Sequence, residues 1–166
     1  MDYAILPSEL GDVVLTFGSG ALSGLYFDGQ KHQPARTALW QRRDDDPLVA
    51  RTARFLARYF AGEPIELDVP LDLQGTPFQR AVWQALREIP RGTTRTYGEI
   101  ARQAGSPAAV RAAGAAIGRN PVSIVVPCHR VLGTDGSLTG YAGGLNRKRH
   151  LLMLEGALSA SLPGMP

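Results

Sequence analysis

Residues 96–118, TYGEIARQAGSPAAVRAAGAAIG, read as two short helices joined by a tight turn, and that reading decides the fold of half the chain. Thr96 to Ala104 has the helical pattern, with Gly105 as its stop, and Ser106-Pro107 reads as the cap of a second helix running to about Gly118. Two short helices across a glycine turn form a helix-turn-helix. In the second helix nearly every side chain is a methyl group or a hydrogen, with Arg111 the one long side chain, placed near its middle. Such a helix can press its backbone close to a partner. The same small residues serve tight packing against another helix equally well.

Working outward, Thr76-Pro77-Phe78-Gln79 has the form of a capping box with proline at the first helical position. It opens a helix whose Phe78, Val82, Leu86 and Ile89 share one stripe, ended by Pro90-Arg91-Gly92. Beyond the helix pair, Ser123 to Val126 reads as a short buried strand or extended segment, and Asp135-Gly136 as the turn of a hairpin flanked by Val131-Leu132 and Ser137-Leu138. Residues 140–144 form a flexible loop holding Tyr141. Leu145 to Glu155 reads as a final helix with Asn146 as N-cap, and the Ala-, Ser- and Pro-rich residues 157–166 as a poorly ordered tail.

The first third reads differently. Tyr3 to Leu6, Asp12 to Phe17 and Ala21 to Phe27 are β-rich runs separated by turn residues, a meander of antiparallel strands. Residues 30–46 read as a polar loop. Pro47 to Ala61, with Asp46 as N-cap and Gly62 as stop, carries Leu48, Val49, Phe55, Leu56, Tyr59 and Phe60 at helical spacing. Ile65, Leu67, Val69 and Leu71 then alternate with polar residues or proline, the period of an edge strand. The expected organisation is an α/β N-terminal domain over 1–73, a mostly α domain with the helix-turn-helix over 74–156, and a tail over 157–166.

Charge divides along the same line. Residues 1–72 hold 11 acidic and 7 basic side chains, a net of −4, whereas residues 73–166 hold 4 acidic and 11 basic, a net of +7. Basic side chains gathered on one half attract polyanions and release counterions on binding, so the C-terminal half is where nucleic acid would dock. No apolar run approaches the roughly 20 residues of a bilayer span, and no signal-peptide pattern opens the chain. A cytoplasmic protein without a membrane partner is the expectation. One cysteine cannot form an internal disulfide, and with His32, His129 and His150 scattered it does not match a structural zinc site.

That cysteine sits in Pro127-Cys128-His129-Arg130, beside an imidazole and a guanidinium. The thiolate is the nucleophilic form, and neighbouring cationic or basic groups lower a cysteine pKa to make it available. Adjacent side chains often point apart, so an imidazole at the next position can require a bridging water, and a packed structural cysteine beside a packed histidine is the competing reading.

From Gly75 to Gly156 the chain resembles the O6-alkylguanine-DNA alkyltransferases (methylated-DNA–protein-cysteine methyltransferases): GTPFQRAVWQAL, IPRGTTRTYGEIA, RAAGAAIGRNP, IVVPCHRV, GYAGG and LLMLEG follow in order. The resemblance implies an N-terminal domain of ribonuclease-H-like shape and a winged-helix-like C-terminal domain. It implies that Cys128 accepts the alkyl group, that His129 is its water-linked general base, and that Glu155 orients and polarises that histidine. By the same resemblance Arg111 fills the space left by a flipped nucleotide, with the small residues of its helix, Ala112 and Gly114 among them, against the minor groove. Tyr97 crowds the phosphate and meets the guanine edge, and Asn120 is the hinge between the recognition helix and the PCHR run. Tyr141, Ala142, Val131 and Lys148 would line the pocket. Some relatives carry serine where this chain has Ala142, which leaves only a backbone amide to donate there.

The implied reaction is direct reversal on double-stranded DNA. A guanine O6 inside a stacked duplex is out of reach, so the nucleotide is flipped out, and Cys128 takes the alkyl group irreversibly in one turnover, with no cofactor or metal. The free protein is expected to be a monomer. Among rivals, a non-enzymatic lesion binder of the same fold lacks the thiol. A helix-turn-helix regulator needs base-edge donors that the alanine-rich helix does not offer, and a Cys-His hydrolase would recover its free thiol.

Overall fold

Strands β1 (Asp2–Leu6), β2 (Val13–Gly18) and β3 (Ala21–Phe27) form the expected antiparallel meander in the computed structural model, which describes residues 1–158. Residues 159–166, most of the expected tail, lie outside them. These strands bury Ala4, Val13, Val14, Leu15, Phe17, Leu22, Leu25 and Phe27, with β2 buried along all but its last residue. The supposed polar loop adds a two-residue strand, β4 (Gln41–Arg42), parallel to β1, so the sheet order is β3-β2-β1-β4. Two polar residues carry no periodicity, so nothing local announced that strand. Helix α1 (Pro47–Phe60) begins where Asp46 accepts the Leu48 N–H at 2.9 Å and buries Leu48, Val49, Phe55, Leu56 and Tyr59.

The edge strand expected at 65–71 is not formed. Its residues alternate in burial, but pairing is limited to one parallel bridge, Leu22 to Leu71, through Leu22 N–H to Pro70 O and Asp72 N–H to Leu22 O, each 2.8 Å. Pro64 and Pro70 have no N–H to contribute to a ladder.

The described chain divides into two units, one of residues 1–74 with 121–125, the other of 75–120 with the residues from Val126 onward. In the second, α2 (Pro77–Arg87) opens on the capping box, with Thr76 and Gln79 exchanging bonds of 3.0 and 3.1 Å. After β5 (Arg95–Thr96), helix α3 (Tyr97–Gln103) opens on a second box between Thr96 and Glu99. Helix α4 (Val110–Gly118) starts three residues later than expected and has no side-chain cap; Ser106 instead accepts the Ala109 N–H through its carbonyl in a turn. Arg111 therefore lies in the first turn of α4, not near its middle. The small residues of α4 do serve packing: Ala113, Ala116 and Ile117 are buried, and the Trp83 indole N–H reaches the Ala116 carbonyl at 2.8 Å.

Three further expectations are corrected. Ser123 to Val126 is a turn, with Ile124 at φ +71°, not a strand. Val131-Leu132 forms β6, paired in parallel with β5 rather than with Ser137-Leu138, so Asp135-Gly136 closes a turn (Gly133 N–H to Ser137 O, 3.0 Å) and no hairpin ladder. Helix α5 (Leu145–Leu154) follows Gly144 at φ +93°, which places Asn146 inside the helix and leaves it no capping role. Past its end, Ala157 and Leu158, the first two residues of the expected poorly ordered tail, pack on Leu132, Leu138 and Leu152.

Candidate functional site

Pro127 ends the turn at 123–126, and Cys128, His129 and Arg130 follow as one tight 3-10 turn, closed where the Val131 N–H reaches the Cys128 carbonyl. Within so short a turn successive side chains leave in different directions. His129 Nε2 goes to a Glu155 carboxylate oxygen at 2.8 Å, with both side chains fully enclosed. Arg130 grips the same carboxylate as a fork, Nε to Oε1 at 2.8 Å and a terminal nitrogen to Oε2 at 2.9 Å, and gives its other terminal nitrogen to the Ile89 carbonyl at 2.6 Å. Glu155 caps the end of α5, and it is this buried pairing that takes the carboxylate out of solvent.

Burial lowers the His129 pKa against the pull of Glu155, so the ring is neutral at rest. A neutral ring that meets a carboxylate through Nε2 carries its one proton there. Nδ1 is then a bare lone pair, enclosed and without a hydrogen-bond partner among the described residues. No direct hydrogen bond joins it to the thiol.

The neighbours of the Cys128 sulfur come from elsewhere in the chain. Asn120, just past the end of α4, gives its amide to the Val126 carbonyl at 2.7 Å and also hydrogen-bonds the sulfur, and both the Lys148 charge and the Tyr141 side chain act on the thiol to lower its pKa. Burial nevertheless outweighs these and pushes the thiol pKa up. The adjacent His129 and Arg130 do not supply the lowering that their sequence position suggested, because both are committed to Glu155. At rest Cys128 is a protonated thiol, primed by polar contacts.

Lys148, fully enclosed on α5, donates to the Thr139 and Gly140 carbonyls at 2.8 and 3.2 Å and lies 5.9 Å from the centre of the Tyr97 ring. Burial brings its pKa down to about 8, with Cys128 acting in the other direction. The Tyr97 hydroxyl donates to the same Thr139 carbonyl at 2.8 Å, and burial raises its pKa. Lys148 and Tyr97 thus hold one end of the loop that carries Tyr141 and the half-buried Ala142.

The remaining residues divide. Arg111, Ala112, Ala115 and Arg119 form an exposed face of α4, two guanidiniums flanking methyl groups at helical spacing. Gly114 is half-buried, and a Cβ there would come to 3.8 Å from the Tyr97 ring, so it belongs to the packing of α4 on α3. Val131 is fully buried in β6. Arg130 is the residue that sequence reasoning passed over, since a charge after PCH looked like a thiol neighbour. A buried carboxylate needs more than one donor, and that need was the available signal.

Residues 77–157 match the family model described as 6-O-methylguanine DNA methyltransferase, DNA binding domain. The chain is 50% identical over 153 residues to the methylated-DNA–protein-cysteine methyltransferase of Mycobacterium tuberculosis, covering 92% of this chain and 91% of that one. It is 46% identical over 157 residues to the protein of the same description from Methanosarcina acetivorans, covering 95% and 99%. Among solved structures, the crystal structure of Mycobacterium tuberculosis OGT in complex with DNA superposes with a TM-score of 0.85 at 47% identity, covering 95% of this chain and 94% of that one.

Proposed function

The chain belongs to the methylated-DNA–protein-cysteine methyltransferases, direct-reversal repair proteins that move an alkyl group from guanine to a cysteine of their own, and we propose that in this chain Cys128 is that cysteine. The observation that carries the assignment is the surroundings of its sulfur: Asn120 as hydrogen-bond partner, Tyr141 and the Lys148 charge acting on the thiol, and, in the same turn, His129 paired with the Glu155 that ends α5.

In the proposed sequence the Cys128 thiol proton leaves through water toward the bare Nδ1 of His129, whose imidazolium is then stabilised by Glu155. The thiolate attacks the alkyl carbon in line. A sulfur–carbon bond forms as the carbon–O6 bond breaks, and the electron pair stays with guanine. The Tyr97 hydroxyl proton, held by the Thr139 carbonyl in the free protein, is turned to the base and neutralises the charge that develops there, and Tyr141, Ala142 and Lys148 form or hold the wall facing it. A thioether does not hydrolyse in water, so each molecule acts once, without an organic cofactor. Among the described residues no group of three His, Cys, Asp or Glu side chains is placed to hold a metal ion.

For DNA, the exposed methyl groups of α4 between Arg111 and Arg119 suit a narrow minor groove, where a backbone approaches closely. Arg111 is assigned the space left by the extrahelical nucleotide. Residues 74–156 are assigned the binding and the chemistry, with a winged-helix-like fold, and residues 1–73 a ribonuclease-H-like one; the meander with its following helix and the α3–α4 pair beside β5 and β6 support that reading. Monomeric action in the cytoplasm completes the proposal.

The test is mass spectrometry of the Cys128 peptide after incubation with duplex containing O6-methylguanine. The peptide gains one methyl group and the base is restored in equal amount. An unmodified peptide beside unrepaired DNA overturns the assignment.

A further inference from the structure

Between Asn120 and Val126 the chain leaves one unit and comes back to it: residues 121–125 group with the first unit, while Asn120 and Val126 group with the second. Strand β3 holds this excursion by a parallel bridge, in which the Leu25 N–H donates to the Pro121 carbonyl at 2.8 Å and the Ser123 N–H to the Leu25 carbonyl at 2.9 Å. The Ser123 hydroxyl adds a further bond to Gln30 Oε1 at 3.3 Å, and the same oxygen accepts the Phe27 N–H at 2.8 Å. Val122, Ser123 and Gln30 are all buried. A buried hydroxyl or amide that loses its partner has no water to replace it, so these bonds hold the excursion to one path.

The next residue, Ile124, has φ +71°. A β-branched side chain in the left-handed region is strained, and the strain persists only where the surroundings over-determine the backbone. On one side the surroundings are the bridge to β3. On the other, Asn120 pinches the base of the excursion by donating to the Val126 carbonyl at 2.7 Å. Cys128 lies two residues beyond Val126, and its sulfur takes its own hydrogen bond from the same Asn120 amide.

We infer that residues 121–125 are a positioning strap that sets the path of the chain into Cys128, with Gln30 and Ser123 as positioning residues for alkyl transfer. If the Ser123–Gln30 hold is lost, Ile124 relaxes toward negative φ and carries the Val126 carbonyl with it. The Asn120 amide then no longer serves both that carbonyl and the sulfur. The inference rests on Cys128 as acceptor.

The test uses the full chain with Ser123→Ala and Gln30→Met, and Ser123→Thr as the variant that keeps the hydroxyl. Three quantities are compared: the single-turnover transfer rate constant at saturating protein on O6-methylguanine duplex, affinity for undamaged duplex, and the pH profile of Cys128 reacting with iodoacetamide. The first two variants lower the rate constant by about tenfold, the scale of a sub-ångström misplacement, and move the thiol profile to higher pH. Duplex affinity stays within about twofold, and Ser123→Thr restores rate and profile. A lower melting temperature with an unchanged rate constant and thiol profile overturns the strap. A wild-type Cys128 that takes no methyl group overturns the acceptor assignment instead, and the iodoacetamide profile still decides the strap.

Discussion

The imidazole of His129 and the carboxylate of Glu155 meet at 2.8 Å inside the protein, with neither side chain reaching solvent, although 26 positions separate them. Glu155 is held at the same time by the Arg130 fork. Those three side chains form one charge-balanced unit behind Cys128, and the unit is expected to fail as a whole.

Glu155→Gln removes the charge but keeps the shape. It leaves the Arg130 guanidinium, 12% exposed, without its counter-ion, and His129 without a strong acceptor. Breaking such a buried pair costs about 3–5 kcal/mol. Urea unfolding reads that loss, and single-turnover transfer falls with it at temperatures where the variant is folded; a variant as stable as the parent would show that Arg130 is balanced elsewhere.

The buried, neutral His129 makes the fold acid-sensitive. Its folded pKa lies below the ordinary 6.5, so below that pH the unfolded chain binds a proton that the folded one does not. Stability is therefore complete above about 6.5 and declines as pH falls toward the folded value, with a slope of up to ~1.4 kcal/mol per pH unit from this group. Unfolding free energies measured from pH 7.5 down to 5, compared with those of His129→Gln, isolate it. Parallel curves for the two proteins would contradict the assignment.

Lys148 works in the opposite pH range. Burial brings its pKa to about 8 from 10.5, so between those values the unfolded chain holds the proton and the folded chain does not. In that window stability from this group rises with pH. The difference in unfolding free energy between proteins with and without Lys148→Met increases from pH 8 to about 10 when both carry Cys128→Ser, which removes the thiol titration that the Lys148 charge would otherwise shift. Below pH 8 Lys148→Met with Cys128 intact slows transfer, because the Thr139 and Gly140 carbonyls lose their common donor.

Arg111 is exposed, and Arg111→Ala changes stability by no more than about 0.5 kcal/mol. Its loss is expected in reaction with the duplex alone: transfer from O6-methylguanine in double-stranded DNA slows by about tenfold or more, while transfer from the free alkylated base is unchanged, since the base outside a helix needs no flipping. Equal slowing on both substrates would move Arg111 from the DNA contact to the pocket.

Periodicity and capping chemistry are local, and what depends on them was legible in the residues alone. The meander strands, the Asp46 cap of α1, the capping boxes at Thr76 and Thr96, and the PCHR run all stand in a few neighbouring side chains, so the mixed α/β build and the motif of the candidate site could be read there. Elements without a pattern of their own needed the folded chain. Gln41–Arg42 becomes a strand only beside β1, Val131-Leu132 pairs with Arg95-Thr96 rather than across its own turn, and 65–71 pairs only through the one Leu22–Leu71 bridge, where Pro70 has no N–H to extend it. The environment of Cys128 belongs to the tertiary structure in the same way. Which of His129, Arg130, Asn120, Tyr141 and Lys148 faces the sulfur, and which face the carboxylate of Glu155, depends on burial and on partners distant in sequence. Those long-range contacts set the protonation of each group, and no local pattern encodes them.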